Sequence, residues 1–210
     1  RHAGNGAVSG PRLADSLEQM GVRRGDRVAV CLPQSEHCAV THLAVARLGA
    51  IAVPISTLTG SDGVRHRVAD AGVRVIAADL QSHGWLDELR PEVQMLWVGS
   101  PPGAGGFDEM AAESGGVREP VDTALDDPAL IIYTSGTTGL PKGALHAHRV
   151  VAAHADAIAL IQSDFPQPQD VMWSPADWAW GGGLIDCLYA SLEAGRPIVA
   201  WRPRKFAGGE

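Results

Sequence analysis

The sequence has 210 residues, 45% of them apolar, which is enough for one large domain or two small ones with a buried core. Its 17 basic and 24 acidic residues leave a formal charge of −7, and the lack of any basic block argues against a nucleic-acid partner. Cys31, Cys38 and Cys187 form no C-x-x-C pair and suit reduced, buried thiols in a cytoplasmic protein, and no uninterrupted apolar stretch predicts a secretion signal or a membrane span.

Along the chain, apolar runs of strand length alternate with segments of helical period. "RVAVCL" (27–32) reads as a buried strand stopped by Pro33. Ser35 is the expected N-cap of a helix that starts at Glu36, has the apolar positions Ala39, Val40, Leu43, Ala44, Ala46 and Leu48 at helical spacing, and stops at Gly49. "AIAVPI" (50–55) is the next strand. Ser61 or Asp62 is then expected to cap a helix through Ala71, with Gly72 ending it and "VRVIAA" (73–78) following as a strand. "VQMLWVG" (93–99) reads as a fourth strand. The proline- and glycine-rich stretch after it predicts a surface loop with one helical turn at 107–112.

"ALIIY" (129–133) reads as a fifth strand, and "HAHRVVAAHADAIALI" (146–161) has helical spacing. "DVMW" (170–173) and "PIVAW" (197–201) read as strands on either side of a helix over about 184–194. This alternation predicts an α/β fold: a mostly parallel sheet with helices on both faces and ligands at the carboxyl ends of the strands. The chain starts at Arg1 and runs out at "KFAGGE" just after a strand candidate, so both ends read as cut.

Between the fifth strand and the next helix lies "YTSGTTGLPKG" (133–143), with the hydroxyls of Thr134, Ser135, Thr137 and Thr138, the glycines 136, 139 and 143, and a single cation, Lys142. Glycines let backbone N–H groups approach an anion, hydroxyls donate, and a lysine adds a point charge. The spacing is not that of a Walker A loop, because after four intervening residues Gly136 is followed by Pro141 rather than a glycine, and Lys142 is followed by Gly143 rather than Ser or Thr. Nor is there a G-x-G to open a dinucleotide fingerprint. The residues leave two readings, a phosphate loop of another kind or a polar turn between strands. After "DVMW", "SPADWAWGGG" (174–183) holds an equivalent place at a strand end, where its indoles and glycines either wall a ligand pocket or pack as core. The H-x-H of His146 and His148, with His154 beyond it, lacks the cysteine or carboxylate that would complete a zinc site. Asp186 and Cys187 read as capping and packing residues rather than a nucleophile pair.

The run from Thr134 to Gly143 resembles the phosphate-loop signature of the adenylate-forming superfamily, and "ADWAW" with its glycines resembles the acetyl-CoA-synthetase-like and medium-chain acyl-CoA synthetase branch. "GDRVAVCLPQS", "HLAVARLGAIAVPI" and "RVADAGVRVIAAD" are similar to the large N-terminal domain of that family, so the resemblance covers about Gly21 to Trp201. It implies a ligase that activates a carboxylic acid with ATP and Mg²⁺ to an acyl-AMP and then passes the acyl group to coenzyme A. By the same resemblance, Thr134, Ser135, Gly136, Thr137, Thr138, Gly139 and Lys142 cradle the triphosphate. Lys142 is also the catalytic cation, and Thr137 is the hydroxyl assigned to Mg²⁺. Trp178, Trp180 and Gly183 shape the acyl pocket, although Gly181 stands where the branch carries a bulkier residue, which leaves chain length open.

The family's later acidic metal ligand, ribose-binding aspartate, hinge and lysine-bearing C-terminal domain have no counterpart in these residues. The expectation is therefore that residues 1–210 are part of the N-terminal AMP-binding domain, without its remainder or the small C-terminal domain, and are inactive alone. The alternatives are a non-catalytic remnant that binds nucleotide weakly and a piece of an adenylation domain that loads a carrier protein. An ATPase of another phosphate-loop class lacks its second acidic motif here.

Overall fold

The computed structural model describes residues 10–80, 84–89, 92–100, 106–113, 119–134 and 139–201. Helix α1 (Gly10–Gln19) comes first, a segment the reading above leaves without an element. It is followed by β1 (Arg27–Cys31), α2 (Glu36–Arg47), β2 (Ile51–Pro54), α3 (Ser61–Ala71) and β3 (Val73–Asp79). A 3₁₀ turn (Gly84–Leu89) leads to β4 (Gln94–Val98) and a short helix, α4 (Phe107–Glu113). Next come β5 (Pro128–Thr134), β6 (Lys142–Ala147) and α5 (Arg149–Ile161).

The strands form one sheet in the order β4-β3-β1-β2-β5-β6, parallel except for the antiparallel pair β5–β6. The central strand β1 is buried on both sides, as a parallel strand between two helical layers must be. Val28 and Val30 face a core shared with α1, α2 and α4, while Ala29 and Cys31 face a second core built with α3 and the 3₁₀ turn. Each fully buried Val, Leu or Ile contributes roughly 1.5–3 kcal/mol, so these two layers dominate the stability of the sheet. The buried thiols of Cys31 and Cys38 are both pushed up by desolvation, Cys31 to about 12, which disfavours the thiolate.

Ser35 caps α2 as expected, its hydroxyl accepting from the Cys38 N–H at 3.2 Å. The cap of α3 is instead Gly60, with no side-chain bond, and Ser61 is already helical. The region from 146 needs a larger correction. Lys142–Ala147 is a strand that returns antiparallel against β5, and the helix begins only at Arg149. "DVMW" and "PIVAW" likewise do not join the sheet. They share a single parallel bridge between Met172 and Ile198, and Val171, Trp173, Val199 and Trp201 stand exposed. The helix between them, α6, runs over 181–193 as one α turn (Gly181–Gly183), a π-helical stretch (Leu184–Tyr189) and a final turn (Ala190–Glu193). Leu184, Ile185 and Leu188 seat it in the α2-side core. No described helix is long and apolar enough to cross a membrane.

Candidate functional site

The parallel strands deliver their carboxyl ends to one edge of the sheet, and β5 ends there at Thr134. The register of the β5–β6 hairpin places Thr134 opposite Lys142 and Tyr133 opposite Gly143, so the loop cation stands directly across from the first loop hydroxyl. Both residues are exposed, and Lys142 makes no ion pair with a described residue. Gly139 turns the chain with φ +96°, a conformation glycine adopts without strain, and nothing crowds the space where its side chain would stand. Ser135, Gly136, Thr137 and Thr138 lie outside the described residues. Beside the hairpin base lies a cavity of about 480 Å³ lined by His66, Asp70, Leu140, Pro141, Lys142 and Gly143.

The segment 174–183 crosses the same edge. The Gln34 amide, just beyond β1, donates to Ala176 O at 2.7 Å, and the Ser56 hydroxyl, just beyond β2, donates to the Asp177 carboxylate at 2.6 Å. Asp177 also accepts from the Ala179 N–H at 3.0 Å, so one carboxylate ties the segment to itself and to the sheet. The crossing separates the two indoles. Trp178 is 2% exposed in the α2-side core, whereas Trp180 is 52% exposed on the α3 side. Trp180 lines a small cavity with Pro54, Ser56, Thr59, Arg67, Tyr133 and Ala179, which brings it to the base of the phosphate-loop candidate.

Gly183 is placed by close backbone approach. A Cβ there would lie 2.4 Å from Asp177 O and 2.6 Å from Ala176 O, whereas one on Gly181 would meet nothing within 4 Å. Gly183→Ala is therefore expected to destabilise the protein by about 1–3 kcal/mol or more, because backbone carbonyls cannot move aside as a side chain would. Gly181→Ala should leave the melting temperature nearly unchanged. Equal melting temperatures for the two variants would show that the 174–183 crossing is not held as described.

The histidines of 146–154 do not converge. His154 Nδ1 lies 2.5 Å from Asp186 Oδ1, while burial lowers the pKa of His148, whose Nε2 has no hydrogen-bond partner among the described residues. Burial raises the pKa of the Cys187 thiol. Among the described residues no three His, Cys, Asp or Glu side chains group to hold a metal ion. The residues that sequence reasoning passed over are Gln34, Ser56 and the α3 trio His66, Arg67 and Asp70. The first two were signalled only by following strands, and the trio by its spacing on one helix face.

The family model for the AMP-binding enzyme matches residues 11–208. The 3-hydroxypropionyl-coenzyme A synthetase of Sulfurisphaera tokodaii is 33% identical over 90% of this chain and 32% of its own length. The long-chain-fatty-acid–CoA ligase FadD13 of Mycobacterium tuberculosis is 35% identical over 70% of this chain and 30% of its own. The chain thus spans about a third of the length of these relatives. Among solved structures, the N-terminal domain of FACL13 from Mycobacterium tuberculosis superposes with a TM-score of 0.78 at 28% identity, over 94% of this chain and 49% of that one. The anthranilate CoA ligase AuaEII, at a TM-score of 0.83 and 22% identity over 94% of this chain and 39% of that one, shares the fold. With the loop at the end of β5, the crossing segment and a family match over nearly the whole chain, this protein belongs to the AMP-binding enzyme family, and its sheet has the N-terminal-domain fold of adenylate-forming enzymes.

Proposed function

We propose that these residues form part of the large N-terminal domain of an AMP-forming acid–thiol ligase, which activates a carboxylic acid with ATP and transfers the acyl group to coenzyme A. One observation carries this reading: Lys142, without an ion pair to a described residue, held in register opposite Thr134 at the carboxyl end of β5. The remainder of that domain, and a small C-terminal domain, are assigned to sequence outside residues 1–210. The family match and the coenzyme A ligases among the relatives support the reaction class.

In this reading the acid's carboxylate oxygen attacks the α-phosphorus of MgATP, and the bond to the bridging oxygen of pyrophosphate breaks. Negative charge grows on the departing β- and γ-phosphates, and the groups assigned to meet it are the loop hydroxyls and the Lys142 ammonium, of which Thr134 and Lys142 stand opposite each other at the end of β5. The thiol of coenzyme A then displaces AMP from the acyl-AMP. Magnesium enters with the nucleotide. Thr137, which lies outside the described residues, is the loop hydroxyl assigned to it, and the ion would neutralise charge on the phosphates.

The full-length protein should show acid-dependent ATP–pyrophosphate exchange and form thioesters from one class in a panel of short, medium and aromatic acids. Absence of exchange with every acid would reject the proposal. Trp180 is assigned to the acyl pocket and Trp178, on its burial, to the support behind it. Trp180→Ala is expected to shift preference toward larger acids by about tenfold in kcat/KM, the scale of a few methylenes in an apolar pocket. An unchanged acid profile with a lowered melting temperature would make Trp180 a packing residue.

A further inference from the structure

Helix α3 holds both ends of the candidate phosphate loop. On the entry side, the Tyr133 hydroxyl donates to Asp70 at 2.6 Å, and the Arg67 guanidinium lies 5.4 Å from the centre of the Tyr133 ring. Burial, with the Asp70 hydrogen bond adding to it, pushes the Tyr133 phenol up, which favours its protonated, donating form. On the exit side, His66 Nε2 lies 2.8 Å from the carbonyl oxygen of Pro141, the residue before Lys142. A carbonyl only accepts, so Nε2 carries the proton and donates.

The two sides also touch each other. The His66 and Tyr133 rings meet edge to face with centroids 6.1 Å apart, and Gly143 brings the return strand so close that a Cβ there would sit 2.8 Å from Ile131 and 3.2 Å from the Tyr133 ring. His66 and Asp70 line the same cavity as Lys142. One rigid helix therefore sets the separation of the residues that enter and leave the loop.

We propose that His66 is a positioning residue for the nucleotide phosphates: by fixing the Pro141 carbonyl it holds the Lys142 backbone, and hence the loop's mouth, at the spacing the β- and γ-phosphates require. This rests on the reading of the loop as a nucleotide-phosphate cradle. The contact is a backbone tether, so its effect falls on ligands that reach the loop and not on those that end at the α-phosphate. An error of about 1 Å in placing such groups costs on the order of 10²-fold in rate, far more than one neutral hydrogen bond contributes to folding.

The test uses the full-length protein with MgATP and AMP as ligands, measuring dissociation constants by calorimetry together with ATP–pyrophosphate exchange. His66→Ala is expected to weaken MgATP by about tenfold, the equivalent of one such hydrogen bond, and to leave AMP within about twofold. His66→Gln, whose amide can reach the same carbonyl, should restore most of the MgATP affinity. Equal weakening of MgATP and AMP with a lowered melting temperature, or failure of Gln to rescue, would make His66 merely structural and overturn the proposal. Unchanged MgATP binding in His66→Ala would overturn it as well. Lys142→Ala separates this from the underlying reading. If that variant loses exchange while His66→Ala keeps it, only the positioning role falls; if Lys142→Ala keeps exchange, the cradle reading falls and the positioning role with it.

Discussion

Replacing Lys142 by alanine in the full-length protein is expected to slow acid-dependent ATP–pyrophosphate exchange by about 10²-fold or more, the effect of removing one electrostatic contact made in the transition state. The geometry motivates that magnitude. Lys142 opens β6 directly opposite Thr134, is exposed, and forms no ion pair with a described residue, so its charge is not spent on holding the fold. The side chain can be truncated without disturbing the hairpin, whose backbone pairing runs from Thr134–Lys142 to Pro128–Ala147. The loss should therefore appear in rate, with the melting temperature changed by little, since surface substitutions of this kind usually lie within about 0.5 kcal/mol. Lys142→Arg should recover only part of the rate, because a planar guanidinium does not reproduce a compact ammonium at one point. Near-normal exchange in Lys142→Ala would remove Lys142 from the site.

How far such a site could be read in advance depends on where each residue takes its structure from. β1 was legible because a strand buried on both faces must be apolar at every position, and "RVAVCL" carries that pattern without help from its neighbours. α2 was legible because Ser35 and Gly49 mark its ends by local chemistry. β6 was not. "KGALHA" has a glycine, a lysine and largely exposed positions, and it is a strand because β5 offers it a hydrogen-bonding edge, which is a tertiary fact. The split of Trp178 from Trp180 was hidden for a related reason: two residues apart on an extended segment would share a face, and it is the turn closed by the Trp180 N–H donating to Asp177 O at 3.0 Å that sends them to opposite sides. The tether from His66 to Pro141 ends on a backbone carbonyl, and a backbone acceptor leaves no mark in the residue types.

Residues 1–210 produced alone are expected to form no acyl-CoA from ATP, coenzyme A and any acid of a short-to-medium panel. Adenylation in the proposed mechanism needs several charged groups placed at once. The described residues supply a lysine, hydroxyls and one wall, and among them no three His, Cys, Asp or Glu side chains group to hold a metal ion. Groups that act as a unit do not lose activity in proportion, so an incomplete set should fall much further than the single Lys142 contact. The surface points the same way. Leu145, Leu160, Ile161, Val171, Trp173, Val199 and Trp201 are all exposed, six of them by about half or more, and the rings of Trp173 and Trp201 lie 6.4 Å apart. Leu145 lies on β6, the edge strand of the sheet, and Val171, Trp173, Val199 and Trp201 flank the Met172–Ile198 bridge in sequence, so the exposed apolar side chains gather in the later part of the chain. Exposed apolar side chains of this kind favour association, so the isolated residues should associate in solution. Purified residues 1–210 are therefore expected to elute above monomer size and to show at most weak MgATP binding. Sustained thioester formation by this material, lost in its Lys142→Ala form, would place a complete active site within these residues and overturn the assignment of the remaining groups to sequence elsewhere.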